Sequence, residues 1–349
     1  MKTHMLDTTY FGKTRLRVTR VAFGGIPIMR LSRREGAKLV QEVLDLGVNF
    51  IDTANMYGDS EEKIGDALAG TRREDLVIAS KSMARDRGTF LAHVDTSLAR
   101  LKTEYLDIYQ LHGISSDEDM KRVMGSGGAL EGLSQALEDG RVRHPGFSSH
   151  NLSTAEKMMR TGRFSVVQVP FNFVDSEAAE KIIPLARELD MGFLCMKPLG
   201  GGLLHDANLC FRYIMQFDGI VPDPGIERLE EMREIIGIMQ DPRPLLDTER
   251  ARMEEIRKSL GDTWCHRCDY CQPCPQDIPI SLVLVTESIV RRMSYDTAVD
   301  FLRPAMEKAD SCTECGSCVE RCPYGLNIPE LLKRYRAGYE EFVATKLWA

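Results

Sequence analysis

The 349 residues are 43% hydrophobic, enough for a large core, so a wholly disordered chain is excluded, and roughly 100–200 residues per domain suggests two or three domains. A net charge of −7, from 45 Lys and Arg against 52 Asp and Glu, argues against a uniformly basic nucleic-acid binder. There is no apolar run near the roughly 18 residues of a membrane span, and the N-terminal stretch lacks the apolar segment of a signal peptide, so the ten cysteines read as thiolates of a reduced, cytoplasmic protein.

In chain order, Tyr10–Val18 reads as a short hairpin. Eight β-rich runs follow: Val21–Phe23, Asn49–Asp52, Leu76–Ser80, Leu106–His112, Val142–Ser148, Val166–Val169, Gly192–Met196 and Gly219–Val221. They are continuous apolar or β-branched runs, as expected of buried parallel strands. Helical patterns lie between them. Ser32 with Glu35 predicts a capping box before Gly36–Leu46, and Ser60 with Glu61 and Glu62 opens the next helix. Thr89 precedes a helix over Phe90–Arg100, Thr154 precedes Ala155–Arg160, and Glu177–Leu189 follows the sixth strand.

Strand-helix alternation repeated eight times predicts an α/β fold, a (β/α)₈ TIM barrel, over residues 1–236. A doubly wound sheet is the alternative, but its first strand would lead into G-x-G-x-x-G, and here Gly24-Gly25-Ile26-Pro27 follows. Residues 237–262 read as a linker, Asp241-Pro242-Arg243-Pro244, with a bridging helix, Thr248–Leu260. Residues 263–330 hold two cysteine runs separated by an apolar helical stretch, Ile280–Val290, and a C-terminal amphipathic helix, Leu331–Val343, falls within 331–349.

The first run is Cys265-x2-Cys268-x2-Cys271-x2-Cys274-Pro275 and the second is Cys312-x2-Cys315-x2-Cys318-x3-Cys322-Pro323. The second has the bacterial [4Fe–4S] spacing, in which three close cysteines bind one cluster and the fourth binds the other. The first is one residue short of that spacing before Cys274. Paired zinc sites are the competing reading, but they do not account for two evenly spaced quartets that each end in Cys-Pro. The expected ligands are Cys265, Cys268, Cys271 and Cys322 for one cluster, and Cys312, Cys315, Cys318 and Cys274 for the other. The long helical gap between the runs suits a mainly α-helical ferredoxin-like domain. Cys195 and Cys210, with apolar neighbours, read as core residues.

In a (β/α)₈ barrel, chemistry sits at the C-terminal ends of the strands. Strand two ends in Asp52, with Tyr57 five residues on; strand three ends in Lys81 and strand four in His112. One such residue would pass as a salt-bridge partner; four at successive strand ends predict a site. A Lys81 ammonium favours tyrosinate at Tyr57, Asp52 holds Lys81, and His112 is placed to donate to a carbonyl oxygen as charge develops there.

In these four residues, in their order and in their strand placement, the chain resembles the aldo/keto reductases. With both cysteine runs it resembles the branch that carries a C-terminal 4Fe–4S ferredoxin-type domain. The resemblance implies NAD or NADP as cofactor, a small carbonyl or alcohol as substrate, Tyr57 as general acid, Lys81 as its pKa modulator, Asp52 as the lysine's partner and His112 as carbonyl orienter. It also implies cofactor contacts at Gly25, at Ser148 and Ser149 after strand five, and at Gln168 on strand six. After strand seven it implies Met196, Lys197, Pro198, Leu199, Gly200 and Gly201, and beyond strand eight Gly225 and Arg228. Ser148-Ser149 stands where the family usually has Ser-Asn, and Met196 where it often has an aromatic. Arg228 suits a 2′-phosphate and Glu227 a 2′-hydroxyl, so the choice of dinucleotide stays open. The alternative function is an iron–sulfur electron-transfer protein with a one-electron redox partner and the barrel as docking scaffold; the intact tetrad argues against it.

Overall fold

The computed structural model describes residues 6–348, so the outer ends of the first and last expected segments, 1–5 and 349, lie outside the described residues. Two compact units form. The first holds the residues up to Gly200 together with Leu204–Leu245; the second holds Gly201–Leu203 and everything from Leu246. Among the described residues, no helix is long and apolar enough to cross a membrane.

The first unit opens with the expected hairpin. Strands β1 (Thr8–Tyr10) and β2 (Arg17–Thr19) pair antiparallel around a 3₁₀ turn at Gly12–Thr14. Phe11 in that turn is buried, sits edge-on to Phe50 at 5.3 Å between ring centroids, and occupies the space over Gly192, where a Cβ would come within 2.6 Å of the Phe11 ring. Eight parallel strands follow: β3 (Phe23–Gly24), β4 (Phe50–Asp52), β5 (Val77–Ser82), β6 (Leu106–Leu111), β7 (Val142–Ser148), β8 (Val166–Pro170), β9 (Gly192–Met196) and β10 (Ile220–Asp223). Each pairs with the next in chain order. Ala22 N donates to Pro222 O and Gly24 N to Pro224 O, both at 2.9 Å, which joins β3 to β10 and closes the barrel. Closure removes the exposed edges that a twisted open sheet would leave.

Side chains alternate along a strand, so residues two apart share a face. Phe50, Ile108, Val166 and Val221, from alternate strands, lie together in the buried core. This is the four-residue layering of a filled barrel. Two residues further along the same strands stand Asp52, Gln110, Gln168 and Asp223, all buried. The layer nearest the C-terminal mouth is therefore polar, where the layer beneath it is apolar.

A helix follows each barrel strand, and the Ser32–Glu35 capping box forms, with Glu35 N donating to Ser32 Oγ at 3.3 Å and Ser32 N to Glu35 Oε2 at 3.1 Å. Two helices start earlier than expected. Helix Arg87–Leu101 is capped by Asp86, which accepts from Thr89 N at 2.9 Å, and helix Leu152–Arg160 by Asn151, which accepts from Thr154 N at 2.9 Å. The two threonines sit three residues inside and are the donors. Ser60 begins its helix but does not cap it: its hydroxyl donates to Gly25 O at 2.8 Å.

The second unit is helical, with no strand among its described residues. Its bridging helix is Asp247–Leu260. The stretch expected as one helix at Ile280–Val290 is two, Ile280–Val283 and Thr286–Val290, because the Thr286 hydroxyl takes the Val283 carbonyl at 2.7 Å and interrupts the ladder. Tyr295–Ala309 is a further helix with Pro304 inside it, and the last helix spans Ile328–Thr345.

Candidate active site and cysteine-lined cavities

Asp52 ends β4 and Lys81 lies near the end of β5, both at most 3% exposed. Lys81 Nζ donates to Asp52 Oδ2 at 2.5 Å and to Thr53 O at 2.7 Å. Burial opposes the charge on Lys81, but Asp52, Tyr57 and Asp223 outweigh it, and the lysine is held above its ordinary pKa. The ammonium lies 5.3 Å from the centroid of the Tyr57 ring, and that ring meets His112 edge-on at 5.8 Å, with 80° between planes. The four residues expected at the strand ends are thus brought together at one mouth.

Local structure fixes the loop that carries Tyr57. Asn55 N donates to Lys81 O at 3.0 Å, Ser60 N to Tyr57 O at 2.9 Å, and Arg100 Nη1 to Asn55 O at 3.1 Å. Arg100 also pairs with buried Glu61 at 3.4 Å, whose carboxyl is pushed above the usual range by burial and accepts from Ser80 Oγ at 2.6 Å. Arg85 does the same for His112. Its Nη1 donates to His112 O at 3.0 Å and its Nη2 to Gly113 O at 3.1 Å, while its Nε pairs with Asp119 at 2.7 Å.

Gln168 reaches the same cluster from below: its Nε2 donates to Asp223 Oδ2 at 3.0 Å and to Asp52 Oδ2 at 3.3 Å. Its Oε1 has no hydrogen-bond partner among the described residues, which leaves a buried acceptor for an amide. Ser148 Oγ accepts from Gly113 N at 2.9 Å. The Ser149 hydroxyl is used within its own turn, donating to Asn151 O at 2.9 Å and accepting from Asn151 N at 3.1 Å. After β9, Met196 is half-buried, and Lys197, Gly200 and Gly201 all take positive φ, at 57°, 58° and 71°. Gly200 N donates to Lys197 O at 2.9 Å and closes this turn. Pro198 is buried and Leu199 half-buried between them. Gly25 is packed against Ser60, and Gly225 bridges Gly24. Arg228 is exposed and turned onto Glu231 at 3.0 Å, while Glu227 pairs with Arg30 at 3.3 Å. Sequence reasoning missed Asp223, Gln110 and Asn172. The last fixes the β9 loop by donating through Nδ2 to Lys197 O at 3.1 Å. A strand carried two residues past Val221 would have reached Asp223.

In the second unit the cysteine thiols surround two cavities. Cys265, Cys268, Cys271 and Cys322 line one; Cys274, Cys312, Cys315 and Cys318 line another, and Ile280 borders both. The fourth cysteine of each run therefore turns to the other run's cavity. Positive φ at Arg267 and Glu314, each just before the second cysteine of its run, bends both chains around their cavities. His266 stacks on Tyr324 at 3.8 Å and Arg321 Nη2 donates to Pro273 O at 2.9 Å, which ties the runs together. Among the described residues, no group of three or more His, Cys, Asp or Glu side chains closes on a single metal ion. None of the ten cysteines, all among the described residues, is in a disulfide. Burial pushes Cys265 to about 11 and Cys271 to about 12, whereas hydrogen bonds from Ser317 lower exposed Cys315. Loading such thiols releases protons. Cys195 and Cys210 are buried in the first unit, as expected of core residues.

Comparison with known proteins follows the same division. Residues 20–218 match the sequence model of the aldo/keto reductase family, and residues 264–327 that of a 4Fe-4S dicluster domain. The chain is similar to the uncharacterized oxidoreductase YrpG of Bacillus subtilis, with 30% identity over 228 residues covering 57% of this chain and 68% of that protein. It is also similar to the uncharacterized oxidoreductase YqkF of the same organism, with 27% identity over 212 residues covering 57% and 66%. The matched stretch thus spans about two thirds of these relatives. An aldo-keto reductase, AKR11C1 from Bacillus halodurans in its holo form, superposes with a TM-score of 0.62 at 21% identity, over 72% of this chain and 96% of that one. An aldo/keto reductase from Klebsiella pneumoniae in complex with NADP and acetate superposes with 0.61 at 20% identity, over the same shares. At these identities the likeness shows the shared barrel fold.

Proposed function

The chain belongs to the aldo/keto reductase family, and from that premise we propose that it reduces a small aldehyde or ketone, or oxidises the alcohol, with NAD(P)(H) at the mouth of the barrel. The observation that carries this reading is the gathering of Tyr57, Lys81, Asp52 and His112, with Lys81 Nζ 2.5 Å from Asp52 and 5.3 Å from the Tyr57 ring. When bound, the dinucleotide supplies a hydride to the carbonyl carbon. Tyr57 donates its phenolic proton to the carbonyl oxygen. The Lys81 ammonium stabilises the tyrosinate left behind, and Asp52 and the Thr53 carbonyl fix Lys81 in place. His112 donates to the carbonyl oxygen as it gains negative charge.

The buried, open acceptor of Gln168 and the hydroxyl of Ser148 suit a nicotinamide carboxamide, and the left-handed turn that starts at Lys197 after β9 is the proposed approach to the pyrophosphate. Met196, Pro198, Leu199, Ser149, Gly25, Gly225 and Arg228 complete the proposed contacts. The NADP in the Klebsiella pneumoniae neighbour supports a dinucleotide here. Anaerobically purified protein tested against a panel of carbonyl compounds should oxidise NADH or NADPH; no turnover of either with any aldehyde or ketone would overturn the reading. Because Arg85 clamps the backbone of His112, Arg85→Ala should lower kcat by about tenfold or more through misplacement of the imidazole. Steady-state kinetics on folded protein check this, and unchanged kcat would show that the clamp does not position His112.

The helical segment 263–330 is proposed to hold two [4Fe–4S] clusters, one on Cys265, Cys268, Cys271 and Cys322, the other on Cys312, Cys315, Cys318 and Cys274. Two cavities each ringed by four thiols support this count. Such clusters exchange single electrons, which suits a one-electron redox partner. Iron and acid-labile sulfide should each reach about eight per chain. Zinc in their place, without sulfide, would overturn the assignment.

A further inference from the structure

The reaction proposed above uses Asp52, yet a second carboxyl group lies in the same buried layer with no part in it. Asp223 ends β10, is 9% exposed, and shares the Gln168 amide nitrogen with Asp52, at 3.0 Å and 3.3 Å. Ionised, the two carboxylates would set four acceptor oxygens and no donor in this layer. The surrounding donors reach two of those four oxygens. Gln168 Nε2 reaches Oδ2 of both acids, and Lys81 Nζ is taken by Asp52 and the Thr53 carbonyl. Oδ1 of Asp52 and Oδ1 of Asp223 find no donor among the described residues. The fold makes room for this group: a Cβ on Gly24 would stand 2.9 Å from Asp223 Oδ1 and 2.6 Å from Pro224 O. The groups that face Asp223 are Asp52 from β4, Lys81 from β5, Gln168 from β8 and the buried thiol of Cys195 from β9, with Tyr57 beyond Lys81.

Charge decides which state such a cluster prefers. One ammonium and two carboxylates leave an uncompensated buried negative charge, which is costly to remove from water. One proton shared by the two acids makes the group neutral. We propose that Asp223 is a positioning residue for carbonyl reduction, holding a proton against Asp52 so that the group beneath Tyr57 stays neutral until that proton leaves. Burial and the neighbouring Asp52 hold the Asp223 carboxyl well above its ordinary range, in keeping with this role. Loss of the proton at alkaline pH adds negative charge beside Lys81, which makes Tyr57 hold its own proton more tightly and slows its transfer. The rate of reduction then falls on the alkaline side as Asp223 loses its proton.

This inference rests on the reductase reading for its kinetic part alone. Infrared spectroscopy of the cluster-loaded full chain, with ¹³C-labelled aspartate to separate the signal from buried Glu61, should show the carbonyl stretch of a protonated aspartic acid that vanishes as pH rises. Asp223→Asn should lack that band and should extend the alkaline plateau of kcat/KM to higher pH. Absence of the band from the wild-type protein overturns the shared proton, whether or not Asp223→Asn folds and whatever the enzyme's substrate proves to be. A band that Asp223→Asn keeps, or pH profiles that superimpose, overturns the role of Asp223. An inactive wild-type protein that still shows the band would fault the reductase reading and leave the shared proton standing.

Discussion

Tyr57→Phe should lower carbonyl reduction by a factor of about 10²–10⁴, the usual cost of removing a general acid, while leaving dinucleotide affinity close to that of the wild type. The substitution deletes one oxygen and little surface, and the ring keeps its edge-on contact with His112 and its place over Lys81. Lys81 also keeps Asp52 and the Thr53 carbonyl, so the buried ion pair under the ring is not disturbed. The loss should therefore appear in kcat rather than in the binding of NAD(P)H, measured by fluorescence titration alongside steady-state turnover. Full turnover by the Phe variant with a good substrate would mean that another group delivers the proton, and the tetrad would have to be reassigned.

The strands were the most legible part of the chain because a parallel barrel buries both faces of each strand, which turns them into continuous apolar runs. Placing ionisable residues at the ends of those runs then pointed to the mouth. The limits of the sequence were local. At Asp86 and Thr89, and again at Asn151 and Thr154, both residues of a pair are good helix caps, and only the geometry reveals which one accepts and which one donates. Pro304 disguised the helix Tyr295–Ala309, and Pro222 disguised the end of β10, so that Asp223 fell outside the expected strand. Spacing also does not show how a hydroxyl is used: Ser148 and Ser149 are neighbours of the same kind, yet the second spends its hydroxyl on its own turn. In the cysteine runs, by contrast, the covalent spacing carries most of the information. The short gap before Cys274 does not keep it from the cavity of Cys312, Cys315 and Cys318.

That exchange of fourth cysteines leads to the second large effect, on metal content. Cys322→Ala should reduce iron and sulfide from about eight to about four per chain, by emptying the cavity shared with Cys265, Cys268 and Cys271 and sparing the one that holds the rest of its own run. The alternative, in which each run serves one cluster by itself, predicts the same halving, so a second substitution is needed to separate them. Cys268→Ala and Cys322→Ala remove ligands from one cavity under the crossed arrangement, and together they should cost no more iron than either alone. Cys315→Ala and Cys322→Ala then act on different cavities and together should remove nearly all of it. Under the uncrossed arrangement the two results change places, because Cys315 and Cys322 would share a cluster and Cys268 would not. Non-additivity between groups that act as one unit is what the paired comparison reads. The second unit should also lose thermal stability on emptying, since the pocket between Ile280, Leu284, Leu326 and Ile328 is left without the contents that bring its walls together. Carbonyl reduction by the folded fraction should survive, because the proposed hydride transfer at the barrel mouth would draw on Tyr57, Lys81, Asp52 and His112 and on no cysteine. If NAD(P)H-driven turnover persists in the folded fraction while turnover driven by a reduced one-electron dye is lost, the clusters are a relay to a partner rather than a staple for the helices.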